Sequence, residues 1–397
     1  MSEHWQQVSL AEICSVSAGN SAPQDPAYFA AGTIPFFRTS DAGRVKFGTI
    51  YESQDKLNAQ GASKLRRYPA GTILFPKSGA STFLNHRVVL GVEGCVSSHL
   101  ATIVPDLSHV LPQFLLYALT LIDAKDLIQD QSYPSLNLPA IEKIGIHLPP
   151  IAEQQRIVRL LDEAFEAIAV AKANAEKNLQ NARALFESHI EKVLSIGGTG
   201  WRSEQLGQVC EIERGGSPRP IQQFLTSDPA GVNWIKIGDA TASGKYIFKT
   251  EEKIRVEGVK RSRMVYEGDF ILSNSMSFGR PYIMKTTGCI HDGWLVLRKP
   301  SVNADFLYHA LSSKVVFDQF DKLAAGSTVR NLNIGLAKSV WIPIPPLAEQ
   351  AILAKEFDEL QVATDVLAEV ASRKVAKMTE LGSAILHEAF SGNRRAA

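Results

Sequence analysis

The chain has 397 residues, is 45% hydrophobic and 21% charged, and carries 42 Lys and Arg against 41 Asp and Glu, a formal net charge of +1. That balance gives no whole-protein basic field for nucleic acid, and the length exceeds the roughly 250 to 300 residues at which a single core stops growing. No run of about 18 apolar residues spans a bilayer and no basic-then-apolar leader opens the chain, so a cytoplasmic protein of more than one domain is expected.

Taken in chain order, residues 1–149 read as a strand-rich α+β body. GTILFPKSG (71–79) and VEGCVSSHLATIVP (92–105) combine alternating apolar residues with Gly or Pro boundaries, and one short helix is expected at 111–122. HLPPIAEQ (147–154) is a proline stop followed by a first helical turn. Pro150 suits the first helical position, where a missing N–H costs nothing, and Glu153 stands where the helix dipole favours an anion. From Ile157 the apolar positions step by four and three through Leu161, Ala164, Ile168, Ala171 and Ala175. After a phase slip they continue at Leu179, Ala182, Phe186, Ile190 and Val193, and Gly197-Gly198 ends the run. Residues 150–197 are thus a helical spacer of about 45 residues, roughly 68 Å long at 1.5 Å per residue.

Residues 198–345 form a second body, with GDFILSNSM (268–276) and GCIHDGWLVLRKP (288–300) as strand segments and a short helix at 303–317. PIPPLAEQ (343–350) then opens a second spacer, 346–392. Its stripe runs Leu353, Phe357, Leu360, Thr364, Leu367, Ala371, Met378, Leu381 and Ile385, and Gly392 precedes a loose basic tail, 393–397.

The two halves are copies. Trp5, Leu10, Cys14, Gly19 and Ser21 fall on Trp201, Leu206, Cys210, Gly215 and Ser217, each displaced by 196. The same offset carries Leu136 and Asn137 onto Leu332 and Asn333, and Pro149, Pro150, Ala152, Glu153 and Gln154 onto Pro345, Pro346, Ala348, Glu349 and Gln350. With small shifts, IPFFRTSD (34–41) matches VNWIKIGD (232–239), and FLLYALT (114–120) matches FLYHALS (306–312). Stripes this narrow need a partner, and the other copy is the nearest one, although each helix folding onto its own body is the alternative. The expected fold is α+β: two pseudo-twofold-related mixed α/β domains separated by a pair of long antiparallel coiled-coil helices.

Charge divides unevenly between the copies. Residues 198–345 hold 19 Lys and Arg against 14 Asp and Glu, whereas 1–149 hold 11 against 12. Catalytic signatures are missing: no GxxxxGK[ST] phosphate loop, no HExxH, no Gly-rich nucleotide fingerprint and no Asn-Pro-Pro-aromatic stretch. Asp239 with Glu251, Glu252 and Lys253 only caricatures a nuclease metal site, since body one has no counterpart. Cys14, Cys95, Cys210 and Cys289 form two repeat-related pairs without CxxC spacing, and read as small buried strand residues. His99 and His291 read as core or loop hydrogen-bonders, so neither metal nor cofactor is expected.

A variable body, PPIAEQ and a long helix, followed by a second variable body, PPLAEQ and a second long helix, resembles the DNA specificity subunit of type I restriction-modification systems across essentially the whole chain. The segments FRTSD, GTILFPKSG and QSYPSLN, with IKIGD, GDFILSNS and GSTVRNLN as counterparts, also resemble family positions; QSYPSLN departs from the more typical GSTVRNLN. The resemblance implies that each body is a target recognition domain reading one half of a split DNA sequence. It implies that the helix pair is a ruler between the halves. It also implies that modification subunits, two of them, dock on the helices and supply the methyl donor site and the chemistry, with restriction subunits joining through the assembled complex. The chain itself is then a non-catalytic subunit. The alternatives are a self-contained methyltransferase or nuclease, and a coiled-coil scaffold without DNA specificity.

Base edges are read chiefly by Arg or Lys at guanine and Asn or Gln at adenine, while loop Lys and Ser hold phosphates. The DNA-binding candidates in body one are Arg38, Arg44, Lys46, Lys77, Ser78, Ser81, Thr82, Asn85 and Arg87. In body two they are Arg219, Lys236, Lys260, Arg261, Arg263, Ser273, Asn274, Ser275 and Arg280. The basic clusters KLRRY (64–68) and KRSR (260–263) are better suited to phosphate than to bases.

Overall fold

The computed structural model describes residues 5–128, 135–274, 279–325 and 332–391. The chain forms two compact units, one of Met1–Asn174 with Lys374–Ala397 and one of Ala175–Arg373. Each long helix therefore belongs partly to both units.

In the first unit a five-stranded sheet runs in the order Cys14–Ala18, Leu100–Pro105, Ile73–Pro76, Arg87–Leu90, Phe47–Ile50. A four-stranded sheet runs Asp55–Leu57, Ile34–Phe37, Gly94–Val96, Arg67–Tyr68, and a ribbon pairs Gln6–Ser9 with Gly145–Leu148. The second unit repeats this order with Glu211–Arg214, Trp294–Arg298, Phe270–Ser273, Pro281–Met284 and Tyr246–Ile247 in its larger sheet. Its other sheet is Leu225–Thr226, Glu252–Ile254, Val232–Ile235, Gly288–Ile290 and Arg263–Val265, and Arg202–Gln205 pairs with Trp341–Ile344. The central strands are buried along their whole length, so they are continuous buried runs and not the alternation expected of them.

The expected strand segments 92–105 and 288–300 each prove to be two strands. Gly94–Val96 and Leu100–Pro105 belong to different sheets, as do Gly288–Ile290 and Trp294–Arg298, so the turn between them is the corner where the chain changes sheet. Close packing at this corner explains a repeat-related glycine: a Cβ on Gly19 would lie 2.3 Å from Val96 O, and one on Gly215 would lie 2.0 Å from His291 O. The helix expected at 111–122 spans Pro112–Thr120. The one expected at 303–317 is instead two, Ala304–Ser312 and Lys314–Ala325, because Ser313 is extended at φ −70°, ψ 151° and its Oγ accepts the Val316 N–H.

The long helices span Ile151–Ile196 and Leu347–Ser391. The carbonyls of Pro150 and Pro346 accept the first intrahelical bonds, from Gln154 N and Gln350 N at 3.0 Å. Gly197, at φ +66°, closes the first helix; the expected tail lies outside the described residues. Within the first unit Phe165, early in one helix, meets Gly382, late in the other, where a Cβ would lie 3.2 Å from the ring. Within the second unit His189, late in one helix, meets Glu356, early in the other, at 2.8 Å. The two helices thus run in opposite directions.

They also pack on the bodies. Ile157, Leu161 and Leu386 join Phe75, Ile103, Phe114 and Leu115 in one core. Leu353, Phe357, Ile190 and Leu194 join Phe270, Leu295, Phe306 and Phe320 in the other. Pairing between copies and folding onto a body are both realised. Every stripe position of the first helix is buried or half-buried, but the second stripe is corrected at two places. Leu367 and Leu381 are 54% and 45% exposed, while their neighbours Ala368 and Gly382 are half-buried and buried, Gly382 facing the Phe165 ring.

Candidate nucleic-acid interface

FRTSD and IKIGD fold alike. Each places an acidic residue at the third position of a short helix, Thr39–Val45 or Ile237–Ser243. Asp41 accepts the Arg38 N–H at 2.8 Å and the Gln54 N–H at 3.0 Å; Asp239 accepts Lys236 N–H at 2.8 Å and Glu251 N–H at 3.0 Å. These carboxylates close a backbone turn, which removes Asp239 from any metal role. Among the described residues no group of His, Cys, Asp and Glu is arranged to hold a metal ion. The cations beside them are tied down: Arg38 Nε donates to Asp55 at 2.5 Å and its guanidinium lies 5.1 Å from the Phe36 ring, and Lys236 Nζ donates to Glu252 at 2.8 Å. That hydrogen bond raises the Lys236 pKa above the ordinary lysine value. Arg44 pairs with Asp41 but is half exposed. Lys46, at φ +66°, is exposed with no ion pair among the described residues.

Several polar candidates turn inward. Thr82 is 0% exposed and Arg87 1%, with the Arg87 guanidinium 3.4 Å from the Phe75 ring centroid and Nη1 donating to His86 O at 2.8 Å. Burial pushes Arg87 down to about 9, opposed by Asp123, so it stays charged at neutral pH. Asn85, at φ +52°, donates to Asp123 at 2.9 Å and accepts the Ala124 N–H at 2.9 Å. In the second unit Ser273 and Asn274 are each 1% exposed; Ser273 Oγ accepts the Arg280 N–H at 3.2 Å and Asn274 Nδ2 donates to Asp292 O at 2.9 Å. Asn85, Arg87, Ser273 and Asn274 thus bond nearby loop backbone, whereas Thr82 Oγ1, Arg87 Nε and Asn274 Oδ1 are buried with no hydrogen-bond partner among the described residues. Ser78 bridges Ser135 and accepts from Ser81 Oγ through its carbonyl. Lys77 is half-buried, with its N–H donated to His99 O at 3.0 Å. Ser275, with most of QSYPSLN and GSTVRNLN, lies outside the described residues. The ends of those loops are described: Asn137 caps Leu138–Glu142 by accepting the Ala140 N–H, and Asn333 caps Ile334–Lys338 by accepting the Leu336 N–H.

What stays at the surface is basic. Arg280 is exposed, as are Lys260, Arg261 and Arg263. Arg261 lies 5.7 Å from the Phe224 ring and Arg263 is 3.6 Å from Glu213. The matching cluster is equally exposed, with Lys64 over Tyr28 at 4.2 Å and Arg67 at 3.2 Å from Glu93. Ion pairs between such exposed side chains hold little energy. Arg219, 77% exposed, rests 3.2 Å from Asp292 beside a cavity of about 730 Å³ lined by Ser217, Pro220, Gln222, Trp234, Lys236 and His291. Ser217 Oγ and Arg219 together hold the Asp292 carboxyl below the ordinary range, the serine bond being the larger cause. His291 Nδ1 accepts the Gly293 N–H at 2.9 Å, so its ring is a loop hydrogen-bonder, whereas His99 donates only its backbone N–H to Ser97 Oγ, at 3.5 Å.

The cysteines are free; Cys95, Cys210 and Cys289 are buried and Cys14 half-buried, and burial pushes the Cys14 and Cys210 thiols up to about 12. Cys210 closes a helical turn just before its strand instead of standing in it.

Sequence reasoning passed over Gln154 and Gln350. Both are buried, both bridge the first turn of a long helix to body backbone, and the signal was their identical place in PPIAEQ and PPLAEQ.

The family model described as the type I restriction modification DNA specificity domain matches residues 2–180 and again 199–370. The type I restriction enzyme EcoDI specificity subunit of Escherichia coli is 21% identical, with 98% of this chain and 88% of that protein covered. The MjaVIII specificity subunit of Methanocaldococcus jannaschii is 22% identical over 78% of this chain and 76% of its own length. Among solved structures, a chain of a type I restriction-modification system studied for complex assembly and conformational transition superposes with TM-score 0.80 at 20% identity, covering 98% of both chains. The HsdS subunit from Thermoanaerobacter tengcongensis superposes with TM-score 0.61 at 20% identity, covering 99% of this chain and 98% of that one.

Proposed function

Since this chain belongs to the type I restriction modification DNA specificity family, we propose that it is the subunit that selects the DNA sequence on which a restriction-modification complex acts. Residues 1–149 and 198–345 are the two target recognition domains, each reading one half of a bipartite site. Spacers 150–197 and 346–392 set the gap and dock two modification subunits, which supply the chemistry; restriction subunits join through that complex in the cytoplasm. The observation that carries this reading is the doubled unit: two bodies that share one five-stranded sheet order and the same buried aspartate turn, joined to one pair of opposed helices.

The reading assigns roles by exposure. Arg261 and Arg263, with Lys64, Arg66 and Arg67 in the first unit, contact phosphates. Arg44, Lys46, Lys77, Arg219 and Arg280 are the candidates for base edges, and Arg38 and Lys236 need to leave a carboxylate to reach DNA. The excess of five positive charges in 198–345 makes the second domain the larger contributor to salt-dependent affinity. Mapping methylated positions by long-read sequencing, in cells with and without this gene, tests the proposal. A bipartite motif that disappears with the gene is expected; a methylation pattern indifferent to it refutes the reading. On DNA longer than the split site, the intact complex is then expected to retain the wild-type motif selectively over scrambled halves.

A further inference from the structure

Gln154 is 0% exposed although it stands in the first turn of a helix with a largely solvated surface. Its Oε1 accepts the Leu111 N–H at 2.8 Å, and its Nε2 donates to His109 O at 2.8 Å and Pro149 O at 2.9 Å. His109 and Leu111 lead into the short helix Pro112–Thr120. Gln350 is 2% exposed, accepts the N–H of Asn303 at 2.7 Å and donates to Pro345 O at 2.8 Å; Asn303 caps the short helix Ala304–Ser312. Only an amide both donates and accepts in this way, so neither Glu nor Leu can replace it.

Eight residues on, about 12 Å along the same helix, stands an aspartate in each copy. Asp162 accepts the Tyr117 hydroxyl at 2.5 Å. Asp358 accepts from His309 Nε2 and Lys245 Nζ, both at 2.8 Å, and Lys245 also reaches Asp305 at 2.8 Å. Tyr117 and His309 occupy matching positions of FLLYALT and FLYHALS. In each unit, then, one long helix holds the start of one short helix at one point and a side chain within it at another, and the short helix is packed into the core. A single contact leaves rotation free; two contacts a dozen ångströms apart do not.

We infer that Gln154 with Asp162 and Tyr117, and Gln350 with Asp358, His309 and Lys245, are positioning residues that fix each recognition domain's angle on its helix and so restrict the complex to one gap between half-sites. This rests on the specificity reading above. One base pair of extra gap displaces a half-site by about 3.4 Å along the axis, which a braced domain does not follow and a loosened one does.

The test uses the chain assembled with its modification subunits and a plasmid library carrying both half-sites at the native gap and at gaps one and two base pairs longer or shorter, read by long-read methylation sequencing. Gln154→Met and Tyr117→Phe are compared with the parent. The parent is expected to modify one gap. The variants are expected to raise modification at neighbouring gaps, relative to the native gap, by about tenfold while the half-site sequences stay the same. A lowered melting temperature with an unchanged gap profile overturns the inference, because a merely structural glutamine would do only that. Should Gln154→Met fail to fold, Tyr117→Phe decides alone, since it keeps the ring stacked 5.7 Å from Phe165 and removes only the hydroxyl; an unchanged profile there is equally fatal. A parent complex that modifies no bipartite site overturns the specificity reading and this inference with it.

Discussion

Replacing Asp41 with asparagine probes the turn that carries Arg38, Arg44 and Lys46. Both carboxylate oxygens are in use: Oδ2 accepts the Arg38 N–H at 2.8 Å, and Oδ1 accepts the Gln54 N–H at 3.0 Å beside the Arg44 guanidinium. Asparagine has one acceptor oxygen, so one backbone N–H is left facing an amide N–H in a site that is 0% exposed. Leaving a buried donor unpaired costs about 1 to 3 kcal/mol. Removing an anion from the first helical turn adds about 0.3 to 1 kcal/mol, and the half-exposed Arg44 pair adds less than about 1 kcal/mol. The expected local loss is about 2 to 4 kcal/mol. A chain of two compact units has no single well-defined unfolding free energy, so hydrogen exchange by mass spectrometry is the better assay. Peptides covering 36–55 are expected to exchange about 30- to 1,000-fold faster at neutral pH, since 1.4 kcal/mol is tenfold. Asp239→Asn is the internal control, because it closes the same turn without an arginine partner, and it is expected to cost slightly less. Exchange within threefold of the parent for Asp41→Asn refutes the assignment of this carboxylate to the turn.

Three further outcomes are expected. Gly215→Ala brings a Cβ within 2.0 Å of His291 O, a backbone atom that cannot yield, so the second unit is expected to lose about 3 kcal/mol or more while the first keeps its own transition in calorimetry; a shift shared by both units counts against it. Burial holds His309 below the usual histidine range despite its hydrogen bond to Asp358, so the folded ring stays neutral while the unfolded chain takes up a proton near pH 6.5. Stability of the second unit is therefore full above about pH 6.5 and falls as pH drops from there through the lower folded value; melts of His309→Gln that keep the parent's slope in this window contradict it. Arg263→Ala is expected to reduce the slope of log affinity against log salt by about 1, uniformly across half-site sequences; a change in base preference at one position, with the slope intact, makes Arg263 a base reader instead.

Much of this fold was legible because its strongest signals are local. Pro150 and Pro346 mark the helix starts to within a residue, and Gly197 the first end, since each residue type enforces a backbone state by itself. The stripe of the second helix failed at Leu367 and Leu381, and at the second place the reason is tertiary: the inward position goes to Gly382, against which the Phe165 ring packs, and leucine is displaced to solvent. The interface was less legible. Arg44 and Arg87 look alike in sequence, yet one is half exposed and the other lies sealed against Phe75. Arg44 stands in a short helix and Arg87 at the start of a strand, and which way each turns depends on partners that nothing adjacent in sequence reports. Gln154 and Gln350 were visible as a repeated letter, but a buried amide acquires its meaning only from carbonyls and N–H groups about 45 residues away.

The division of the helices between units has a consequence for biosynthesis. The first unit is completed by residues 374–391, where Leu386 enters its core and Phe390 lies 6.2 Å from Trp5 and 5.2 Å from Phe114. Those groups are synthesised only after residues 1–373, so the N-terminal body meets them after the second unit has been made. The second unit, made of the continuous stretch 175–373, has all its parts earlier. A stop codon after residue 373 would consequently strip Leu386 and Phe390 from the core around Phe114.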